Sequence, residues 1–455
     1  MNTLFSDKFI YHIYPLGMCN AVKHNDFCSP KTDKLLRLKG ELDRIRQLGV
    51  NAIYIGPLFE STSHGYDTVD YYYVDRRLGN NDDFASFVDE CHKKGIAVIV
   101  DAVFNHTGRD FFAFKDIIQN GRNSKYVGWY KNLNFSGHST YGDCFSYEGW
   151  SGCMDLIKLD VDNAEVRKHI FGAVEHWIKD FHIDGLRLDA ADVLSLDFLK
   201  ALRSFTKSIK PDFWLMGEVV HGDYNLWVNN SCLDAVTNYQ IYKGLWSSFN
   251  DGNMFEIAYN LNDQFGQNGK YRQMCLYNFL DNHDVNRLAS TVKDNAYLFE
   301  LYGLLFTIPG IPSVYYSSEY GIRGKRGNSS DYELRPAVKP FKDGADYEDY
   351  ARPAINPQDL ADVIKRFSAI RNTSTALQKG DYSQLFVSNT AFAFKRTFYG
   401  EEVIVIINQA KTQQTVQIPA QSGIWHDMLN GGTFSGDTFK NISVAPSWLR
   451  ILSNR

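Results

Sequence analysis

A (β/α)8 barrel, a TIM barrel with an excursion after its third strand and a C-terminal antiparallel β-sandwich domain, is the fold this sequence predicts on three observations. Eight short β-rich apolar runs alternate with longer amphipathic segments, the pattern of βα units around a parallel sheet. One connection, 107–160, is far too long for a plain βα loop and is rich in Gly, Asn, Tyr and Trp. Beyond residue 375 the helical spacing gives way to alternation with turns such as YGEE and NGG. A chain of 455 residues holds one barrel-sized domain and a smaller one. The expected division is a barrel over 1–106 and 161–375, an excursion over 107–160 and a C-terminal β domain over 376–455.

In chain order the expected barrel strands are 9–14, 52–56, 97–104, 185–190, 213–219, 235–239, 275–280 and 313–316. Helices are expected over 40–48 and 83–94, each stopped by a glycine (Gly49, Gly95), and over 164–181, 195–208, 295–306 and 360–371. Eight alternations favour a closed barrel over an open doubly wound sheet, and reactive groups then belong at the C-terminal strand ends. The irregular stretch 321–357, with many charges and prolines, is expected to line the same mouth. The C-terminal strands are expected at 384–387, 391–397, 403–408, 415–418, 423–427 and 448–452.

Composition excludes several classes of function. A formal net charge of -5 without a basic run argues against a nucleic-acid or anionic-membrane partner. No apolar run approaches the roughly 18 residues of a membrane span. The start MNTLFSDKFIYHIYP lacks the charged and apolar regions of a secretory signal. Seven scattered cysteines without a CxxC pair read as free thiols, so a cytoplasmic location is expected. Aromatic residues reach 15%, and Tyr71, Tyr72, Tyr73, Phe111, Phe112, Trp129 and Tyr130 fall in expected loops, where flat rings suit stacking on sugars.

Four strand ends carry the chemistry. DAVFNH supplies Asp101, Asn105 and His106; GLRLDAAD supplies Arg187 and Asp189; WLMGEV supplies Glu218; NFLDNHD supplies His283 and Asp284. Arg187 and Asp189, two apart on one strand, point to the same side, so the guanidinium holds the acid ionised as a carboxylate nucleophile requires. A structural ion pair explains that octapeptide equally well; recurrence at four strand ends favours chemistry. A nucleophile and an acid about 5 to 5.5 Å apart suit retaining glycoside hydrolysis, with a third acid supporting the oxocarbenium-like transition state. At its ordinary pKa Glu218 would be protonated in about one molecule in 500 at pH 7. A general acid there must be raised by burial and nearby negative charge.

In this order and spacing the four segments resemble the signature regions of the α-amylase family of glycoside hydrolases, nearest its neopullulanase, cyclomaltodextrinase and maltogenic-amylase-like members. The resemblance spans the chain, including the excursion and the C-terminal domain. It implies Asp189 as nucleophile, Glu218 as general acid/base and Asp284 as transition-state stabiliser. Arg187 would orient Asp189, His106 and His283 would bond hydroxyls of the cleaved sugar, and Tyr66 would stack beneath it beside Asp67. Asp101 matches an acid that supports the arginine, and His221 in GEVVHGD would lie near the leaving-group sugar. Against these stand plainer roles: a histidine among acids is often structural, and Tyr66 could be core.

Some features depart from the family pattern. The Lys-His pair that classical α-amylases carry shortly after the nucleophile is missing from the stretch containing Ala191 and Asp192. The N-terminal module of many cyclomaltodextrinases is not expected either. No cofactor is expected to be required. Asn105 matches a calcium ligand and Asp155 sits where another would be, but a hard cation needs about six oxygen ligands. The implied activity is a cytoplasmic retaining hydrolase of α-1,4-linked malto-oligosaccharides, linear or cyclic, through a covalent glycosyl-aspartate. Its rivals are a transglycosylase or α-1,6-active member using the same residues, a catalytically dead sugar-binding barrel, and a phosphate-handling barrel, for which no Gly-rich cradle is present.

Overall fold

Eight parallel strands build the central sheet: β1 Ile10–Ile13, β2 Ala52–Ile55, β3 Ala97–Ala102, β4 Gly185–Leu188, β5 Trp214–Gly217, β6 Ala235–Val236, β7 Tyr277–Phe279 and β8 Ile311–Tyr315. This is a computed structural model, and it describes residues 5–327, 330–339, 341 and 347–455. Each strand pairs with its neighbours in sequence, and β1 also pairs with β8. The ring closes where Thr237 bridges Tyr277 and the Asn238 N–H donates to the Tyr277 carbonyl at 2.9 Å. All eight strands lie within the segments expected from sequence except β8, which begins two residues earlier.

The strands' period of two sorts their side chains. Ile10, Ala52, Ile99, Trp214, Met216 and Ile311 fill the interior, while Tyr11, Ile53, Val98, Val100, Leu186 and Leu215 face the surrounding helices. Towards the C-terminal ends the interior turns polar with His12, Tyr54, Asp101 and Arg187, all buried. Register sets the key pair: Asp101 on β3 lies opposite Arg187 on β4. The helices start and stop where their residues dictate. Asn80 and Asp83 form a reciprocal capping box, and Asn163 and Ser195 cap the helices Ala164–Asp180 and Leu196–Ile209. Gly49 and Gly95 end theirs at φ 91° and 71°.

The excursion differs from expectation in two ways. It contains a helix, Phe112–Asn120, whose periodicity is hidden because Phe112 and Ile118 are exposed beside buried Ala113, Phe114 and Ile117. Most of its aromatics are core residues instead of sugar platforms. Phe111, Trp129 and Tyr130 are buried, and Tyr71 sits inside the strand Thr68–Val74, its hydroxyl donating to the Val103 carbonyl at 2.7 Å. Phe111, Phe112 and Trp129 all pack around the His169 ring. A three-stranded antiparallel sheet, His106–Gly108 with Cys153–Lys158 and Gly149–Trp150, anchors the excursion to the barrel mouth.

The C-terminal region is a six-stranded antiparallel sheet in the order Asp381–Val387, Ala391–Phe398, Glu401–Asn408, Trp448–Ser453, Ile424–Asp427 and Thr433–Ser435, covered by the pair Gln414–Val416 and Ile442–Val444. Alternation divides it between two cores. Phe392, Phe394, Val403, Val405 and Leu449 join the barrel core, while Ala393, Ile404, Ile406 and Leu452 face the two-stranded cover. No helix among the described residues is long and apolar enough to cross a membrane.

Candidate active site

Arg187 is the hub on which the acids converge. Its Nη1 donates to Asp101 Oδ1 at 2.8 Å and Asp189 Oδ1 at 2.9 Å, and its Nη2 lies 2.9 Å from Glu218 Oε2. The barrel ladder carries these groups to one place: the Asp189 N–H donates to the Ala102 carbonyl on β3, and the Glu218 N–H to the Leu188 carbonyl on β4. Ala190, next after Asp189, adopts the left-handed conformation (φ 45°, ψ 45°), which costs a non-glycine residue about 1 kcal/mol or more. Its N–H donates to Glu218 Oε2 at 3.0 Å. The strained residue thus supplies a contact between the two strand ends.

Asp284 closes the opposite side. The Asn282 side chain fixes its backbone by accepting from the Asp284 and Val285 N–H groups at 2.8 and 3.1 Å. Its Oδ2 lies 2.9 Å from His283 Nε2, and its Oδ1 accepts from Arg335 Nη2 at 3.2 Å. Tyr66 stacks on the His283 ring with centroids 5.4 Å apart and donates its hydroxyl to Asp101 Oδ2 at 3.0 Å. Tyr54 donates to the same oxygen at 2.8 Å. Because Tyr66 gives its proton to Asp101, the bond between Tyr66 and His283 assigns the imidazole proton to Nε2.

Four carboxyl groups around two guanidinium groups cannot all be ionised cheaply in a buried site. Burial pushes the Asp189 carboxyl well above the usual range, with Arg187 opposing and Glu218 adding to the rise. Burial also raises Glu218, again opposed by Arg187 and helped by the charge of Asp284. For Asp284 burial is outweighed by His283, Arg335 and Arg187, which hold it well below the ordinary carboxylate range. Arg187 does lower the Asp189 carboxyl, as expected, but it serves Glu218 and Asp101 as well. The guanidinium is divided among three acids, and burial raises the pKa of both Asp189 and Glu218 against its pull.

The remaining expected residues divide into those at the cluster and those apart from it. His106 is buried beside it and kept neutral, its pKa pushed by burial down to about 3, and its Nε2 has no hydrogen-bond partner among the described residues. Asp67 is buried but braces its own loop, accepting from Ser63 Oγ at 2.6 Å and the Gly65 N–H at 3.2 Å. His221 is exposed on the turn where Gly222 takes φ 100°. Asn105 donates to His106 Nδ1 at 3.2 Å, whereas Asp155 lines a separate cavity of about 550 Å³ with Asp67 and Arg109. Among the described residues no three His, Cys, Asp or Glu side chains gather as a metal-holding group.

Several members of the site carry no motif in the sequence. Arg335 comes from the irregular stretch after β8, lies over the Tyr14 ring at 4.6 Å and donates through Nε to the His283 carbonyl. Only the charge of that stretch hinted at it. Trp150, on the edge strand of the excursion's sheet, stacks at 12° on His106 with ring centres 6.3 Å apart. A cleft of about 590 Å³ runs outward from Tyr14 and Arg335 past His64, Cys153 and Tyr332.

A closed parallel barrel with paired carboxyl groups at its C-terminal rim defines a class, the barrel glycoside hydrolases. Comparison with known proteins narrows this. The family described as "Alpha amylase, catalytic domain" matches residues 35–361, and the chain belongs to the α-amylase family. A cyclomaltodextrinase of Thermoanaerobacter pseudethanolicus is 31% identical over 434 residues, covering 90% of this chain and 71% of that protein. Among solved structures, the debranching enzyme of Nostoc punctiforme, in an acarbose-soaked crystal, superposes with a TM-score of 0.80 at 27% identity over 98% of both chains. The cyclic α-maltosyl-(1→6)-maltose hydrolase of Arthrobacter globiformis, in complex with that sugar, gives 0.81 at 25% identity over 99% of this chain and 98% of that one.

Proposed function

We propose that this chain is a retaining hydrolase of α-glucosidic bonds in malto-oligosaccharides, linear or cyclic, with Asp189 as nucleophile, Glu218 as general acid/base and Asp284 as transition-state stabiliser. The observation that carries the reading is the single guanidinium of Arg187 bonded to both Asp189 and Glu218. Nucleophile and acid must share one proton, because the first has to be ionised while the second is not. A glycosidic oxygen beside Glu218 draws that proton to Glu218, and Arg187 then compensates Asp189. Asp189 attacks C1 as Glu218 protonates the departing oxygen, leaving a covalent glycosyl-aspartate. Glu218, now a carboxylate, takes a proton from water, which attacks C1 and frees Asp189.

Asp284, kept anionic by His283 and Arg335, faces the positive charge that develops on the sugar ring. Tyr66 supplies an apolar floor, and His106 and His283 are the candidates for hydroxyl contacts. Asp67 and His221 are left with supporting roles, one in the loop that carries Tyr66 and the other at the outer rim. Oligosaccharide is the expected partner, in a cytoplasmic setting. Asp189→Asn should abolish turnover of maltotriose, and retained activity would refute the assignment.

A second reading, activity on α-1,6 linkages, is favoured by the near full-length likeness to the debranching enzyme and the (1→6)-maltose hydrolase. Chromatography of products from maltotriose, pullulan and a cyclodextrin separates the two, and products longer than the substrate would identify a transglycosylase.

A further inference from the structure

At the opposite end of the barrel two arginines are buried without a carboxylate partner among the described residues. Arg371 donates Nη1 to the Phe306 and Leu377 carbonyls and Nη2 to those of Ser6 and Gly310. Arg396, from the C-terminal sheet, donates to the Thr307 carbonyl at 2.7 Å and the Gly380 carbonyl at 2.8 Å. Both are about 1% exposed, and carbonyl dipoles alone compensate poorly for two neighbouring cations away from water. Burial pushes the pKa of Arg371 down to about 10 and that of Arg396 down to about 9, so both keep their charge at neutral pH.

Between these groups lies a small cavity lined by Ser6, Cys275, Gly310, Tyr382 and Arg396, with Arg272, Lys379 and Asp381 also on its wall. The one acid among them, Asp381, is engaged by Arg272 at 2.9 Å. Two buried hydroxyls on the cavity wall, Ser6 Oγ and Tyr382 Oη, have no hydrogen-bond partner among the described residues. Ser6 and Tyr382 are at least nine-tenths buried, and both line the cavity. Two unpartnered hydroxyls able to donate and an excess of positive charge favour an anion. The free space of about 20 Å³ admits one water-sized or halide-sized body and excludes a phosphate or carboxylate.

We propose that this pocket binds a single monatomic anion of the halide class, chloride in the cell, held by the Ser6 and Tyr382 hydroxyls and Arg396 in the field of Arg371. The ion would tie the turn that carries Ser6, the base of the barrel and the C-terminal sheet together. It would act on stability and not on the chemistry at the mouth. The inference does not depend on which bond the enzyme cleaves.

Two measurements on the full chain test it. Crystals grown in sodium bromide should show one anomalous peak between Ser6 Oγ, Tyr382 Oη and Arg396. Thermal unfolding at constant ionic strength should show Tm rising with chloride when chloride replaces gluconate, as ligand linkage requires. Tyr382→Phe and Ser6→Ala should each weaken the chloride midpoint about tenfold, the order expected for one hydrogen bond to a charged group. A cavity without bromide, equal Tm in chloride and gluconate, or an unchanged chloride response in both variants would overturn the proposal.

Discussion

Arg187 at the mouth of the barrel touches three carboxyl groups, whereas Arg371 at its base touches four backbone carbonyls. Both side chains are fully enclosed, yet they solve the burial of charge differently. Carbonyl partners cannot titrate, so the base is locked in one electrostatic state. Carboxyl partners can, and Asp101, Asp189 and Glu218 share one guanidinium while burial raises the pKa of Asp189 and Glu218. The mouth therefore suits proton transfer and the base suits rigidity, on the same eight strands.

Substitutions at each end should separate these roles. The largest effect is expected for Asp189→Asn, which should lower kcat on maltotriose by about 1,000-fold or more while leaving Tm unchanged or raised. A comparable loss of kcat from a substitution at the base, measured on folded protein, would break the comparison. Arg371→Met should do the reverse. It strands four carbonyls and should cost about 4 kcal/mol in denaturant unfolding, with kcat/KM retained at 25 °C.

The pH dependence sharpens the contrast. The raised pKa values of Asp189 and Glu218 mean that the folded state holds protons the unfolded chain releases near pH 4. Their contribution to stability is fully present below that range and is lost as pH rises through the folded values. Asp284, depressed in the fold, contributes stability above pH 4 that is lost as pH falls. Glu218→Gln should therefore flatten the alkaline side of the Tm profile and remove the alkaline limb of kcat/KM. An unaltered Tm profile would mean that the pair does not hold the proton.

A smaller effect is expected away from both ends. Glu300, on the helix Tyr297–Thr307, is enclosed with neither carboxyl oxygen bonded among the described residues, and burial raises its pKa well above the usual range. Glu300→Met should add about 1–3 kcal/mol at pH 7, and the gain should shrink as pH falls towards 4.

How far the sequence could be read follows from the same contrast. The barrel strands and the acids at their ends were legible because period-two apolar runs locate strand ends and the motifs fix order. The convergence of Asp189 and Glu218 on Arg187 was only half legible: spacing put Arg187 beside Asp189, but the β4–β5 register that brings in Glu218 is tertiary. Arg335 and Trp150 carry no local signal, since each reaches the site from a stretch without periodicity. The basal arginines were not legible at all. In FSAIRNT and FAFKRTF they look like surface charges, and only the folded chain supplies the carbonyls that enclose them.

The central claim is that Asp189 forms the bond to sugar. A fluorinated α-glucosyl fluoride needs no acid to leave, so the Glu218→Gln variant should accumulate the glycosyl-enzyme for mass spectrometric mapping. The account predicts one adduct, on the peptide bearing Asp189. An adduct on Asp284, or turnover with inverted anomeric configuration and no adduct, would contradict it.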